Sequence, residues 1–351
     1  MKYINNPISK NFVKSKFIEK NIPFNLESLN YYSNKKMLLI KNDLVIQFVS
    51  VSNYLGDFIS KMIENFKKGD YLEFYNFNLD IKDKIINSLN NEELAFRCDW
   101  GIENGVPKLY EINAESCGFL LECGVIPEWV EESCTYKSVK TNLMKNYISK
   151  LEKNINTQEI VYLMSLDYIY DIQNLCYIKN LLTIKSERIL ISDIKRVDDY
   201  LFIDDKKINA LHKIYPWFWL LEDSEIDCFN TISFSEPLWT LLFDSKIILY
   251  LLYKEFKNKH LLETFIFNQK KGQFIEKELT GMQGSKNIKS MGIKKYKESI
   301  LQRKIEPIKI DDDILNFSTW LIDKKFSGLG VKTSSKIISD HNHKFVPLAI
   351  E

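Results

Sequence analysis

Apolar and polar positions along this chain follow two periods. Residues 54–69 (YLGDFISKMIENFKKG) carry apolar side chains at helical spacing and end at Gly69, which predicts an amphipathic helix with a glycine stop. Residues 94–113 alternate around a glycine-containing break, which predicts two strands joined by a turn. VYLMSL (161–166) and ILISD (189–193) read as strands on either side of a helix over 168–183, a βαβ-like stretch. A short LFIDD strand and the aromatic segment IYPWFWLL (214–221) follow, and 237–256 predicts one long helix. Residues 140–155 are polar and are expected to close the first segment. Residues 270–305 hold Gly and Lys with few large apolar side chains and are expected to form a mobile lobe. Residues 314–350 read as strands joined by Gly-containing turns. The mixture predicts an α+β or α/β fold without fixing its topology.

Length and composition narrow the class. A chain of 351 residues corresponds to one large domain or about two ordinary ones. With 45% hydrophobic and 27% charged residues it has the balance of a globular protein, which excludes global disorder. The 48 basic and 47 acidic side chains give a net charge of +1, which argues against a general nucleic-acid coat. The apolar run IILYLLY (247–253) is far short of the roughly 20 residues that cross a bilayer, and MKYINNPISKNF does not read as a signal peptide. Cys98, Cys117, Cys123, Cys134, Cys176 and Cys228 form no Cys-x-x-Cys pair and are expected to be reduced thiols in a cytoplasmic protein. His341 and His343 are too few for a zinc site.

Candidate chemistry concentrates in LAFRCDWGIENGVPKLYEINAES (94–116). Alternation puts Phe96, Cys98 and Trp100 on one face of the first strand, with Arg97 and Asp99 on the other. On the return strand Glu111 and Asn113 share a face. A hairpin centred on Gly105 sets Arg97 opposite Asn113 and Asp99 opposite Glu111. Two facing carboxylates repel, and a cation between them reverses the sign. Asp, Glu and an Asn carbonyl are oxygen ligands that magnesium accepts, with phosphates and water completing its shell, and Arg97 is suited to clamp a phosphate. The same residues also read as an ordinary solvated hairpin face.

These residues resemble a known family. Arg97-Cys-Asp99 followed by Pro107-Lys-Leu-Tyr-Glu111-Ile-Asn113-Ala114-Glu115-Ser116 is similar to the R-x-D…K-x-x-E-x-N-A-D/E-S/T signature of glutathionylspermidine synthetase-like enzymes, which are ATP-grasp carbon–nitrogen ligases. IYPWFWLL (214–221) resembles the family's YPWEW segment, and EPLWTLLFDSKIILYLL (236–252) its EPxWKxLLSNKxLLxLL helix. FIEKELTGMQGSKN (274–287) resembles YVxKPxxGREGxN, STWLIDKKFSGLGVK (318–332) resembles SWxVxGxPAGxGIR, and HKFVPLAI (343–350) resembles RFVPHxI. The matches run in family order, and the separate amidase domain that some members carry is expected to be absent.

The resemblance implies one ATP-grasp catalytic unit over 1–351, with a pre-ATP-grasp segment at 158–225 and an ATP-binding lid lobe at 236–305. It implies ATP and magnesium as cofactors, a small-molecule or peptide carboxylate and an amine, such as a polyamine, as substrates, and release of ADP and phosphate after an acyl-phosphate forms. Asp99, Glu111 and Asn113 would bind magnesium, and Arg97 would contact the transferred phosphoryl group. Lys246 and Lys277 would hold ATP phosphates under a lid containing Gly281, Gly284, Ser285 and Asn287, with Gln302 near the adenine. Ser116, Cys117, Gly118 and Glu122 would line the acyl-acceptor or peptide site. Lys332 stands where the family has its catalytic Arg, Glu278 where it has Pro, and Phe218 where it has Glu. A non-catalytic nucleotide- or peptide-binding descendant and a small-molecule phosphotransferase remain open beside the ligase. So do plainer roles: Lys246 and Lys277 as surface lysines, and Trp217, Trp219 and Trp239 as core.

Overall fold

The Asn42–Lys67 helix shows how burial overrides local preference in this chain. Its first three turns are rich in Val and Ile, yet Val45, Phe48, Ser52, Leu55, Ile59, Met62 and Phe66 form one buried stripe. The helix therefore starts well before residue 54, where the sequence pattern first predicts it. The computed structural model describes residues 1–25, 32, 35–75, 77–115, 123–139, 141–155, 159–198, 200–222, 231–266, 273–279, 299–335 and 343–351.

The helix covers one face of a six-stranded sheet. Along that sheet run Lys344–Phe345, Lys325–Ser334, Asp313–Ile322, Phe96–Glu103 and Val106–Asn113, and Lys309–Ile310 also pairs with Asp313–Ile322. Every pairing in it is antiparallel. The covered face presents Phe96, Cys98, Trp100, Phe317 and Leu321 to the main hydrophobic core. Ser52 Oγ and Trp100 Nε1 both donate to Thr319 Oγ1, at 3.0 and 2.8 Å, so the polar atoms there are paired. On the opposite face Trp320 joins a second core with Cys123, Leu143 and Tyr147.

The turn between the two longest strands differs from the glycine turn expected. Asp323 and Lys324 make it, with φ of 49° and 59°. Glycine is needed elsewhere. A Cβ on Gly56 would lie 1.9 Å from the Lys324 carbonyl oxygen, and one on Gly330 would lie 2.4 Å from Cys123 Sγ. Close packing, not turning, accounts for both positions.

A parallel sheet orders Ser233–Ser235, Ala210–Ile214, Val161–Ser165 and Ser186–Leu190, with the Ile169–Leu181 helix as crossover. The βαβ reading is therefore borne out, but its second strand begins at Ser186 and ends at Leu190, within ILISD, and Ile191–Asp193 is a 3-10 turn. LFIDD falls in Tyr200–Ile203, the middle strand of a small meander. IYPWFWLL divides at Pro216 into the end of a strand and the Trp217–Glu222 helix. The stretch 140–155 contains the Leu143–Ile155 helix, whose Leu143, Tyr147 and Leu151 are fully buried. The predicted 237–256 helix is interrupted at Ser245–Lys246, between Leu241–Asp244 and Ile247–Phe256. Of the expected mobile lobe, Phe274–Glu278 and Ser299–Arg303 pair in a three-stranded sheet with Thr264–Ile266, and 280–298 lie outside the described residues. Among the described residues no helix is long and apolar enough to cross a membrane.

Candidate active site

The site is built on the hairpin of Phe96–Glu103 and Val106–Asn113. Asn104 and Gly105 make a two-residue turn with φ of 50° and 77°, the left-handed pair that closes tight hairpins. Counting back from this turn, Glu103 pairs Val106, Gly101 pairs Lys108 and Trp100 pairs Leu109. The next pair is Asp99 with Glu111, and Arg97 then pairs with Asn113. Tyr110 is the extra residue of a β-bulge. The expected pairs are present, but a bulge produces them, not a turn centred on Gly105. In a regular ladder Tyr110 would face Asp99 and Glu111 would turn to the core.

Two contacts hold the bulge. Lys277 Nζ donates to the Tyr110 carbonyl at 2.7 Å. The Tyr110 ring lies over Gly101, where a Cβ would sit 2.1 Å from the phenol oxygen.

Cations surround both carboxylates. Asp99 is buried; its Oδ1 accepts from Ser318 Oγ at 2.7 Å, and its Oδ2 from Lys332 Nζ at 3.2 Å. Arg97 Nε lies 3.3 Å from Oδ1. Burial alone would raise the Asp99 pKa; Arg97 first and Lys332 second more than offset it and hold the carboxyl well below its usual range. Glu111 Oε1 accepts from Lys246 Nζ at 2.6 Å. Burial opposes its ionisation too, and Lys246 followed by Lys277 brings its pKa below the ordinary value. With its amide oriented to match its neighbours, Asn113 bridges Arg97 and Glu111, its oxygen accepting from Arg97 Nη2 at 3.0 Å and its nitrogen donating to Glu111 Oε1 at 3.2 Å. Burial pushes Lys277 down to about 8.

Lys246 reaches Glu111 because the helix breaks there. Its backbone N–H leaves the helical pattern and donates to the Leu279 carbonyl at 2.8 Å. Asp244 Oδ1 accepts from Ala114 N at 2.8 Å, tying the break to the end of the hairpin. Behind the hairpin, Glu115 and Lys213 form a fully buried pair at 3.5 Å. Trp217 N–H donates to Glu115 Oε2, and Lys213 Nζ donates to the Tyr215 carbonyl at 2.9 Å. The aromatic segment is thereby fixed to the hairpin, with Trp217 and Trp239 as core side chains.

Arg97, Asp99, Glu111, Asn113, Lys246, Lys277 and Lys332 thus come from four separate parts of the chain to one constellation. Gln302 is buried on a neighbouring strand, its Nε2 donating to the Leu109 carbonyl at 3.3 Å. Ser116, Cys117, Gly118, Glu122, Gly281, Gly284, Ser285 and Asn287 lie outside the described residues. Ser318 was not foreseen, since only the pairing of Asp313–Ile322 with the hairpin sets it opposite Asp99. Among the described residues no group of three or more His, Cys, Asp and Glu could hold a metal. Two carboxylates and an amide oxygen nevertheless suit magnesium, which takes few protein ligands and draws the rest from phosphate and water.

Residues 10–351 match the sequence family described as glutathionylspermidine synthase preATP-grasp. A provisionally named acid–amine ligase from Haemophilus influenzae is 24% identical over 321 residues, 81% of each chain. The solved structure of a glutathione synthetase-like effector from Globodera pallida superposes with a TM-score of 0.52 at 13% identity, covering 90% of this chain and 89% of that one, which shows a shared fold. A provisionally named γ-glutamylcysteine synthetase from Methylobacillus flagellatus KT aligns at a TM-score of 0.49 and 11% identity over 90% of each chain. With its mixed α/β architecture and several sheets, and a family match spanning nearly its whole length, the chain belongs to the glutathionylspermidine synthase preATP-grasp family of carbon–nitrogen ligases.

Proposed function

We propose that this protein joins a carboxylate to an amine at the expense of ATP, through an acyl-phosphate, releasing ADP and phosphate. One observation carries the reading: Asp99 and Glu111 face each other across the hairpin while Arg97, Lys332, Lys246 and Lys277 crowd around them. Four cations around two carboxylates leave a surplus of positive charge, which a polyanion carrying its own metal ion would balance. Magnesium–ATP is such a ligand, and the Haemophilus influenzae relative's name supplies the reaction class.

In this reading Asp99, Glu111 and the Asn113 amide oxygen hold magnesium, which when bound neutralises phosphate charge and draws electrons from the transferred phosphoryl group. Lys246 and Lys277 bind the phosphates as point charges, and Arg97 offers a planar fork to the phosphoryl oxygens. Lys332 places a further positive charge where the anionic tetrahedral centre forms. The amine attacks the acyl carbon, the bond to phosphate breaks, and the nitrogen passes its proton to the departing phosphate. The carboxylate belongs to a small molecule or peptide, and the partner is an amine, with polyamines as the family precedent. A second reading, a descendant that binds nucleotide without turnover, is favoured by Lys332 standing in place of Arg and engaging Asp99 directly.

Titration calorimetry of ATP, with and without magnesium, on the wild type and on Asp99→Asn tests the site without a guess at the other substrates. Magnesium-dependent binding that the variant loses supports it. A folded wild type that binds no ATP sinks it. A screen of carboxylates with amines for ADP release then separates ligase from silent binder.

A further inference from the structure

On the ladder between Asp313–Ile322 and Lys325–Ser334, Asn316 stands directly opposite Lys332. Side chains paired in this way project from the same face, with Cβ atoms about 5 Å apart. That face carries Asp99, because Ser318, two residues on from Asn316, pairs with Asp99. Asn316 Oδ1 is buried and accepts no hydrogen bond. The Lys332 ammonium donates instead to Asp99 Oδ2 at 3.2 Å. Its path crosses the row of Ser318, whose partner on the Lys332 strand is Gly330, so that strand sets no side chain in the way.

A carbonyl oxygen sealed from water without a donor is an expense that folds rarely carry. This one lies beside a flexible four-carbon stem that ends in three donors. We propose that Asn316 is a positioning residue for Lys332: its Oδ1 is the second seat of the ammonium, taken when magnesium and nucleotide engage Asp99. The trigger rests on the ligase reading above; the seat itself does not. A guanidinium at this position spans two acceptors at once, whereas an ammonium is a point charge that must be handed from one to the other. Asn316 keeps that charge within the site after it leaves Asp99.

Thermal unfolding of the full chain without ligand tests the seat. Asn316→Leu alone removes an unpaired oxygen and leaves the midpoint unchanged or higher. In Asp99→Ala, Lys332 has lost its carboxylate and turns to Asn316, so adding Asn316→Leu lowers the midpoint by about 2 °C. Adding Lys332→Met to both chains abolishes that difference, since no ammonium is left to seat. Asp99→Asn gives the same sign should Asp99→Ala fail to fold. An equal effect of Asn316→Leu in every background overturns the proposal. With ligand, magnesium-dependent ATP affinity falls about 5-fold or more in Asn316→Leu and is retained in Asn316→Asp, which keeps an acceptor; unchanged affinity in Asn316→Leu overturns the handover. A wild type that binds no ATP overturns the ligase reading instead, and the unfolding crossover still decides the seat.

Discussion

Lys246 Nζ lies 2.6 Å from Glu111 Oε1, and the backbone N–H of the same lysine donates to the Leu279 carbonyl at 2.8 Å. One residue therefore ties the Glu111 carboxylate, a helix break and the end of the Phe274–Glu278 strand together. Removing its charge leaves half-buried Glu111 beside Asp99, with the Lys277 charge still favouring its ionised form. Lys246→Met should destabilise the protein by about 2 kcal/mol at neutral pH, within the range for breaking a partly buried pair. It should also weaken ATP binding by 10-fold or more. Urea unfolding and calorimetry on the same variant check both, and a variant as stable and as tight as the wild type contradicts the role.

The bulge at Tyr110 gives a second prediction. Gly101 has no Cβ because the Tyr110 ring occupies that space. In Gly101→Ala the ring must leave, and with it the geometry that lets Lys277 hold the Tyr110 carbonyl. Overpacking of this kind costs about 1–3 kcal/mol. Magnesium-dependent ATP binding should weaken as well, because the bulge sets Glu111 opposite Asp99. Denaturant midpoints with a parallel ATP titration measure the two effects. Loss of stability with undiminished binding would show that the bulge does not set the geometry that binds ATP.

How much of this was legible in the residues depends on distance along the chain. The hairpin was readable because its evidence is local: alternation from 96 to 103, an Asn-Gly turn, and alternation again to 113. The bulge was not, since a one-residue insertion leaves the polar pattern of Glu111 and Asn113 intact. The break at Lys246 was hidden inside an apolar run that reads as continuous helix; the tertiary bonds of Asp244 and Lys246 decide it. Asp323 and Lys324 carry no turn signature in Gly or Pro, while Gly328 and Gly330, which do, serve packing inside a strand. The gathering of Lys246, Lys277 and Lys332 around the hairpin is legible only through family resemblance, because contacts between positions 135, 167 and 233 residues apart leave no periodic trace.

The buried pair Glu115–Lys213 gives a third prediction. Both side chains are sealed from water, and burial pushes the Glu115 pKa up and the Lys213 pKa down from their ordinary values. Lys213→Met removes the cation and leaves the acid with Trp217 N–H as a donor. The expected loss is about 3 kcal/mol. Combining it with Glu115→Leu should restore part of that loss, because an apolar pair replaces a buried acid that has lost its cation. Additive losses in the double variant, read from urea midpoints, would mean the two side chains are not energetically coupled.

His212 sets how stability responds to acid. It is buried, its Nδ1 lies 3.0 Å from the Ser235 carbonyl and its Nε2 3.3 Å from the Tyr147 hydroxyl. The first contact requires a proton on Nδ1, and the second lets neutral Nε2 accept from the phenol. Burial first, and the nearby Lys213 charge after it, push the pKa down to about 4. The unfolded chain titrates this group near 6.5. Between those values the unfolded state binds more protons than the folded one, so stability rises with pH: the contribution is fully present above about 6.5 and is lost as pH falls toward 4. From pH 7 to pH 5 the loss is about 2 kcal/mol, at about 1.4 kcal/mol per pH unit below the unfolded value. His212→Gln, which does not titrate here, should flatten this part of the stability–pH curve while leaving the steeper fall below pH 4 to the carboxylates. Urea midpoints at pH 7, 6 and 5 measure the slope, and parallel curves for the two proteins would place the acid sensitivity elsewhere.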